Sequence, residues 1–210
     1  MLVKKRKEEK GKKKTPKAPD AETRKQLAVE TEEEYNEKIE VKLKISNDLK
    51  ALLVQDWQEV IANQKLVPLP RTPNITKILE GFNKHGKKKK LAIDDDVVQE
   101  LLAGIKTYFE HSLGTLLLYD FERPQYEDSV KDCTNGDVCD VYGAEHLLRL
   151  FVKLPHLLAH TDIKNDSLEI LLSHLKAFLA YLVANSATFF MRPDEYEEVT
   201  EDYQARLGKH

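Results

Sequence analysis

The sequence predicts an all-α fold of several helices, preceded by a disordered tail. Apolar residues recur at helical spacing through most of the chain. The alternation of apolar and charged residues that is typical of a strand is confined to one short segment, residues 39–45. The first 35 residues have no apolar periodicity, and such a segment cannot bury enough surface to offset its ordering entropy.

The length and charge distribution predict two regions, a tail over residues 1–35 and a helical domain over residues 36–205. A chain of 210 residues with 41% hydrophobic residues can build one domain with a sizeable core. Of its 33 basic and 36 acidic side chains, residues 1–17 hold nine and two. The remainder therefore has 24 basic and 34 acidic groups, a net charge of about −10. Such a body should repel nucleic acid.

The tail carries two basic clusters, which we interpret as a nuclear import signal. The interpretation places the protein in the nucleus and rests on these residues: Lys4, Lys5, Arg6, Lys7, Lys12, Lys13 and Lys14. Two alternatives remain open. The tail could be a solvated linker without a partner, or, together with the lysines at residues 87–90, it could bind nucleic acid weakly.

The first predicted elements are a short strand and a helix. The apolar positions Ile39, Val41, Leu43 and Ile45 alternate with charged residues, so this strand must find a partner or lie against helices. Ser46 or Asn47 then caps the first helix. Its apolar stripe consists of Leu49, Leu52, Leu53, Trp57, Val60 and Ile61. The prolines in residues 66–70 end it.

Two further helices follow. Asn74 is the expected cap of the second helix, which has an apolar face formed by Ile75, Ile78, Leu79 and Phe82. A lysine-rich loop over residues 84–90 separates it from a third helix that Asp94 or its neighbours cap. The expected core face of the third helix comprises Val97, Val98, Leu101, Leu102, Ile105, Tyr108, Phe109 and Leu113.

The C-terminal half is predicted to contain a short helix within residues 120–140, which are otherwise turn and polar loop, and then two longer helices. These cover about residues 143–160 and 166–187. Pro155 should kink the first of them because it removes one backbone hydrogen bond. The second is apolar nearly all round, which predicts the central and most buried helix of the domain.

The residues that could support chemistry do not form a recognisable catalytic or metal site. His156 and His160 have the spacing of a zinc pair, but the glutamate of a zinc protease is missing between them. Cys133 and Cys139 suit free thiols in a reducing compartment. We therefore predict no enzyme activity, no metal, no cofactor and no small-molecule substrate. Neither a membrane span nor a signal peptide is expected.

Two aromatic residues favour a binding surface. Trp57 lies beside Val54, which extends the apolar surface of the first helix beyond the stripe that a core helix needs. Tyr119 ends an apolar run next to a charged turn, so half-burial is expected. Periodicity alone is also compatible with ordinary core aromatics at both positions. Aromatic residues are, however, prominent among those that dominate protein interfaces.

Several strings of residues closely resemble the MRG domain, the mortality-factor-related family of chromatin-complex subunits. They are Leu118 with Tyr119, residues 121–126 (Phe-Glu-Arg-Pro-Gln-Tyr), residues 141–144 (Val-Tyr-Gly-Ala), residues 146–152 (His-Leu-Leu-Arg-Leu-Phe-Val) and residues 185–188 (Asn-Ser-Ala-Thr). The resemblance extends from about Ile39 to Tyr196. It implies a mostly helical domain without known enzymatic activity, which recruits partner proteins to histone acetyltransferase and deacetylase assemblies.

The resemblance also implies a binding site. Many partners of MRG domains carry a short Phe-x-Leu-Pro segment that enters a hydrophobic pocket. The family positions implicated in partner binding match Ile45, Leu53, Val54, Trp57, Tyr119 and Val152 in this sequence. At one further position the family commonly has arginine, whereas this chain has Lys153, which lacks the planar fork of arginine.

Some MRG proteins also carry an N-terminal chromodomain, which holds methyl-lysine in an aromatic cage. Residues 1–35 contain a single aromatic, Tyr35, and are too few for that fold. We therefore expect that these residues do not read histone methylation.

Overall fold

The computed structural model describes residues 42–88, 95–132, 137–159, 161 and 163–207. All of them belong to one compact unit, Ile39–His210. These residues confirm the all-α fold, because the sheet among them has only two strands of two residues each. The predicted disordered tail and its basic clusters lie outside the described residues.

The helices are connected by short turns. The described α-helices are α1 Asn47–Trp57, α2 Ile75–Lys88, α3 Asp95–Ser112, α4 Arg123–Asp132, α5 Ala144–Ala159, α6 Asn165–Ala184, α7 Ser186–Phe189 and α8 Glu201–Leu207. Single π-helical turns, Gln58–Ala62 and Leu113–Leu117, extend α1 and α3, and the 3-10 turns are Asp120–Glu122, Val138–Asp140 and Pro193–Glu195. The strands β1 Lys65–Leu66 and β2 Glu197–Glu198 pair antiparallel.

The strand predicted over residues 39–45 is wrong where it can be assessed. Residues 42–46 form no strand, and residues 39–41 lie outside the described part of the chain. Leu43 is buried and Ile45 half-buried against the helical core, whereas Lys42 and Lys44 are exposed. An extended segment that lies against helices shows the same two-residue periodicity as a strand, although it has no ladder of backbone hydrogen bonds.

The predicted helix starts agree with the structure at α1 and α2. The Ser46 hydroxyl accepts a hydrogen bond from the Leu49 N–H at 3.4 Å, and the Asn74 side-chain oxygen accepts one from the Lys77 N–H at 3.0 Å. The end of α2 is a correction, because the helix runs to Lys88 through residues predicted as loop. The rest of that loop and the Asp94 cap lie outside the described residues.

Aromatic side chains join three helices in the core. The Phe178 ring of α6 meets the edge of Phe82 from α2, with centroids 5.1 Å apart. The same ring stacks on Phe151 from α5 at 5.5 Å. The predicted apolar face of α2 is fully buried, and on α3 the predicted residues are buried except Val97 and Tyr108, which are half-buried. These helices therefore pack through the faces that their periodicity indicates.

The prediction that the last long helix is the most buried is wrong. Five of the twenty residues of α6 are buried, against ten of the sixteen residues of α5. α5 buries even charged residues because these have partners within the domain, as shown below. It also continues through Pro155 to Ala159. α6 ends at Ala184, and the short helix α7 begins at Ser186.

Among the described residues, α6 is the one helix whose length and composition would allow it to cross a membrane. A core helix of a globular domain meets the same criterion. α6 buries Leu175, Phe178 and Leu182 in the core that it shares with α2 and α5. These contacts account for much of its apolar character.

A buried ion pair fixes the start of α5. The Arg71 Nε and Nη2 atoms lie 3.2 and 3.1 Å from the two carboxylate oxygens of Glu145. Glu145 also accepts a hydrogen bond from the Met191 N–H at 3.0 Å. A Cβ at Gly143 would lie 2.8 Å from the Arg71 Cβ, so the close approach of the two chain segments requires glycine there.

The C-terminal helix α8 is attached to α4 by polar contacts. Arg206 donates to both carboxylate oxygens of Asp128, at 2.6 and 3.1 Å, and to the Pro124 carbonyl oxygen at 3.1 Å. The Tyr203 hydroxyl donates to the Phe121 carbonyl oxygen at 2.6 Å. The two elements are thus held together by side-chain hydrogen bonds.

Candidate functional site

A buried network of charged residues lies between α1, α5 and the segment that joins α3 to α4. At its centre, Arg149 contacts both oxygens of Glu122, the carboxylate of Asp56 and the Leu117 carbonyl oxygen. These contacts, between 2.5 and 3.0 Å, comprise four hydrogen bonds from the guanidinium and an ion pair between its Nη2 atom and Asp56. The Arg149 network, as we call it, consists of Asp56, Glu122, His146, Arg149 and Tyr196.

The remaining members of the network, His146 and Tyr196, donate to its carboxylates. His146 donates from Nε2 to Glu122 at 2.9 Å, and the Tyr196 hydroxyl donates to Asp56 at 3.2 Å. Every member is buried. A buried charge is tolerated when a partner compensates its lost hydration, which explains how α5 can be enclosed on nearly all sides.

The electrostatics of the network keep its charges fixed near neutral pH. Burial alone would raise the pKa of Glu122, but the Arg149 guanidinium and His146 hold that pKa well below its usual range. Burial opposes the charge of Arg149, yet Glu122 and Asp56 raise the Arg149 pKa. Burial and the Asp56 carboxylate both raise the pKa of Tyr196. Glu122 therefore stays negatively charged and Arg149 positively charged near neutral pH.

Tyr119 connects this network to the surface. The Arg149 guanidinium carbon lies 4.1 Å from the centroid of the Tyr119 ring, within the range of a cation–π contact. The Tyr119 N–H donates to Glu122 at 2.8 Å. Burial raises the pKa of Tyr119, while the nearby Arg149 opposes that shift. The ring is half-buried, as the sequence led us to expect.

Exposed apolar side chains gather on the elements that meet at the Arg149 network. Val54 is 62% exposed, Trp57 50% and Val152 48%. Ile61 in the π-helical turn after α1 and Leu116 in the one after α3 are exposed as well. These five residues, Val54, Trp57, Ile61, Leu116 and Val152, are referred to below as the α1–α5 surface. Exposed apolar patches of this kind mark interaction sites.

The network determines where this surface forms. Asp56 and Arg149 join α1 to α5, and the exposed residues flank this contact. Trp57 directly follows Asp56, while Val152 lies three residues after Arg149, about one helical turn away. Val54, Trp57 and Ile61 follow one another at helical spacing along α1 and its extension. The apolar side chains thus rest on a support that is tied down by charged hydrogen bonds.

Comparison with known proteins identifies the family. The MRG family profile matches residues 20–198, which is most of the chain. The chain belongs to the MRG family. It is 42% identical over 179 residues to human Mortality factor 4-like protein 1, covering 85% of this chain and 49% of that protein. Human Mortality factor 4-like protein 2 is 42% identical over 180 residues, covering 85% of this chain and 62% of that protein.

A fungal relative extends the comparison. Chromatin modification-related protein EAF3 of Mycosarcoma maydis is 40% identical over 200 residues, covering 83% of this MRG chain and 60% of that protein. The chain thus spans about half to three fifths of the length of these relatives.

The structure separates the predicted partner-binding residues of this MRG chain into two groups. Val54, Trp57, Val152 and Lys153 are exposed. Ile45, Leu53 and Tyr119 are half-buried and pack against the hydrophobic core clusters. Trp57 is therefore not an ordinary core aromatic. That all seven residues bind a partner remains a prediction.

The protein surface around α1 is only shallowly concave. An open depression runs along the outer side of α1, and among its lining residues are Lys50, Val54, Gln58 and Pro193. Val54 is the one predicted partner-binding residue that lines it. The predicted residues thus surround an open face rather than lining this depression together.

Sequence reasoning missed part of the surface and the network below it. Ile61 and Leu116 were not predicted as binding residues. Leu116 belongs to an apolar run whose other members are buried to different extents. Asp56 was not singled out. Arg149 offered one signal, since a charged residue within the apolar run of residues 147–151 must find a partner if that helix is buried.

The described residues include one group that resembles a metal site, Glu110, Asp137 and Cys139. The contacts and burial of these residues indicate that they have structural roles. Lys106 forms an ion pair with Asp137, which also accepts a hydrogen bond from the Cys139 N–H at 3.0 Å. Burial raises the pKa of the Cys139 thiol, which disfavours the thiolate that metals bind. Of the predicted histidine pair, His156 is exposed and His160 lies outside the described residues.

Proposed function

We propose that this chain is a non-enzymatic protein-interaction module of nuclear chromatin-modifying complexes, including histone acetyltransferase and deacetylase assemblies. The observation that carries the proposal is the exposure of Val54, Trp57 and Val152 on the two helices that Asp56 and Arg149 join. The name of the fungal relative, Chromatin modification-related protein, supports the chromatin context. Because the chain spans about half of its longer relatives, the activities of those whole proteins belong to the proposal.

The proposed ligand is a partner segment of the Phe-x-Leu-Pro type. Its phenylalanine and leucine lie on Val54, Trp57 and Val152, while the half-buried Leu53 and Tyr119 border the contact and Ile45 stabilises the start of α1 beneath it. The rigid support lowers the entropy cost of binding on the side of the domain. Lys153 supplies a positive charge at the edge, which favours partners with acidic residues next to the motif.

The energetics predict moderate affinity for the short motif. Burying two large apolar side chains contributes roughly 3–6 kcal/mol. Much of this is offset by the loss of translational freedom and by the ordering of the peptide. Nanomolar binding requires about −12 kcal/mol. We therefore expect micromolar affinity for the motif alone, and tighter binding only when the partner contributes a further contact.

Replacement of Trp57 tests the proposal. Trp57→Ala should weaken binding of a Phe-x-Leu-Pro peptide by about 2 kcal/mol or more, roughly thirtyfold in Kd, as is typical of an aromatic hot spot. Isothermal titration calorimetry measures the effect. Ile170→Ala is the matched control, because Ile170 on α6 is 52% exposed but lies outside the α1–α5 surface.

Both variants should keep the circular dichroism spectrum and thermal midpoint of the wild type, because both side chains are half exposed. A Kd for Trp57→Ala equal to that of the wild type, with the fold intact, would remove the basis of the proposal. An equal loss in both variants would point to non-specific apolar binding.

The basic tail provides a separate part of the proposal, nuclear import. Residues 1–17 fused to a reporter too large to diffuse through nuclear pores should direct it to the nucleus. Replacement of Lys12, Lys13 and Lys14 together with the residue 4–7 cluster by alanine should leave the reporter in the cytoplasm. The alternative function, nucleic-acid binding through the tail, instead predicts DNA binding that weakens steeply as the salt concentration rises. This binding should require residues 1–17.

A further inference from the structure

A second apolar groove lies between α3, α5 and α6, away from the α1–α5 surface. Its volume is about 400 Å³, and none of the predicted partner-binding residues lines it. On α3 the lining extends from Val97 to Tyr108, about 16 Å at the helical rise of ~1.5 Å per residue. Leu154 of α5 contributes to it, and Ile170 of α6 lines it with 52% of its surface exposed. The groove is therefore elongated and open along one side.

Gly104, in the middle of α3, lines this groove. Glycine is unfavourable in the interior of a helix, so its presence calls for a reason. At Gly81 and Gly143, a Cβ would lie 2.5 Å from the Tyr181 hydroxyl and 2.8 Å from the Arg71 Cβ. At Gly104 no such atom lies within 4 Å. The packing of this domain does not require the glycine, and the small residue leaves the α3 wall of the groove open beside it.

Two of the polar residues that line the groove, Glu100 and His174, carry acceptor atoms. The His174 Nδ1 atom lies 2.7 Å from the Ile170 carbonyl oxygen, which can only accept, so Nδ1 donates. In the neutral ring Nε2 then carries a lone pair, and that atom is buried without a hydrogen-bond partner. The Glu100 carboxylate also lines the groove, and no ion pair involves it within the described ranges. The Glu100 carboxylate therefore favours an occupant that brings a positive charge.

We propose that this groove binds an amphipathic helix from a partner protein. Apolar side chains of that helix, spaced at i, i+4 and i+7, lie between α3 and α6 beside Gly104, and a lysine or arginine pairs with Glu100.

The shape and charge of the groove support this occupant. A groove bounded by two helices over about three turns matches the length of a short helical segment, and helix-in-groove recognition uses this spacing of apolar residues. The positive charge on the partner complements both Glu100 and the acidic balance of the chain outside its tail. The site is independent of the Phe-x-Leu-Pro surface, so one chain could hold two segments at once.

The test is a selection from random peptides of about 16 residues, displayed on phage and sorted against the full chain. Enriched peptides should show apolar residues at i, i+4 and i+7 with a nearby lysine or arginine. A selected peptide, labelled with a fluorophore, is then titrated in an anisotropy assay. Gly104→Trp should weaken its binding by at least about tenfold, which corresponds to 1.4 kcal/mol.

Controls separate this site from the first one. Gly104→Ala should leave most of the groove open and keep binding within about threefold of the wild type. Glu100→Gln should weaken peptides that carry the basic residue, but not versions in which that residue is replaced by alanine. Trp57→Ala should leave binding unchanged, and Gly104→Trp should not alter binding of the Phe-x-Leu-Pro peptide.

Three results would overturn the proposal: enriched peptides without helical periodicity, full binding by Gly104→Trp with an unchanged thermal midpoint, or loss of binding in Trp57→Ala. The first would favour an extended ligand, and the last would assign the peptides to the α1–α5 surface. Trp57→Ala should weaken only the Phe-x-Leu-Pro peptide, and Gly104→Trp should weaken only the selected peptide. Failure of one proposal therefore leaves the other testable.

Discussion

Helices α5 and α6 are both rich in leucine, but the domain uses them differently. α5 carries Glu145, His146 and Arg149 and is nevertheless buried over ten of its sixteen residues. α6 carries Asp166, Glu169 and Lys176, all of them exposed, and buries five of its twenty residues. The surplus apolar residues of α6, such as Ile170 and Leu171, line an open groove instead. Apolar content therefore does not decide which helix becomes central.

The difference shows that satisfied polar groups can make a helix more buried. The two buried charged side chains of α5 reach across to other elements: Glu145 to Arg71, and Arg149 to Asp56 and Glu122. These contacts fix the position of α5 among its neighbours. α6 has no comparable set of buried ionic contacts among the described residues. Its position is set by packing of its apolar side chains on one side.

The largest expected effect comes from removing the charge at the centre of α5. Arg149→Met should lower the free energy of unfolding by about 3–5 kcal/mol, because it leaves Glu122 and Asp56 buried without their partner. Lys176→Met on α6 is the matched control and should stay within about 0.5 kcal/mol, since Lys176 is exposed. Urea denaturation monitored by circular dichroism measures both.

Losses of similar size in the two variants would contradict this contrast between the helices. A small loss for Arg149→Met, with the fold unchanged, would mean that water or a rearrangement compensates the two carboxylates.

The next effect is a dependence of stability on pH that arises from Glu122. Its pKa is lower in the folded than in the unfolded chain, so the unfolded state binds the proton more readily. The stabilisation from Glu122 is complete above the pKa of this group in the unfolded chain, about 4.3. It is lost as the pH falls towards the lower pKa in the folded chain. In this window, Glu122 alone lowers stability by up to about 1.4 kcal/mol per pH unit.

Urea denaturation between about pH 5 and pH 2.5 measures the slope. Glu122→Gln should be less stable at neutral pH but should show a shallower slope than the wild type, because its side chain does not titrate. Parallel curves for the two proteins would show that other carboxylates cause the acid sensitivity.

The smallest effect concerns the α3 wall of the groove beside α6. Gly104→Ala should raise the free energy of unfolding by about 0.5–1 kcal/mol, because alanine suits a helix better and the space for its Cβ is free. Gly143→Ala, before α5, should instead lower it, because the Cβ would approach Arg71 to 2.8 Å. Thermal melts compare the two, and a loss of stability in Gly104→Ala would contradict the open space.

Most of the helices could be predicted because their signals are local. Ser46 and Asn74 start helices through their own side chains, and the periodic residues of α2 are buried as expected. The strand prediction is wrong over residues 42–45 because period-two burial also occurs where an extended segment lies on helices. The ranking of α5 and α6 was wrong because apolar content does not show which charges find partners.

The candidate site was predictable in part. Periodicity alone favours a core position for Trp57, and the neighbouring Val54 together with the family resemblance pointed to the exposure that the structure shows. The exposure of Leu116 could not be predicted from the sequence, because the π-helical turn Leu113–Leu117 departs from the regular helical spacing on which the prediction relies. The Arg149 network joins Asp56 and Arg149 across 93 positions, a distance that no local pattern encodes.

The attachment of α8 has a practical consequence for anyone who shortens this protein. The family match ends at residue 198, yet Tyr203 and Arg206 beyond it hold the start of α4. A fragment cut at residue 198 would leave the Phe121 and Pro124 carbonyl oxygens without these donors and would uncover the ring of Phe121, which packs 5.7 Å from that of Tyr203. Such a piece should be digested faster by proteases than one that extends through Leu207.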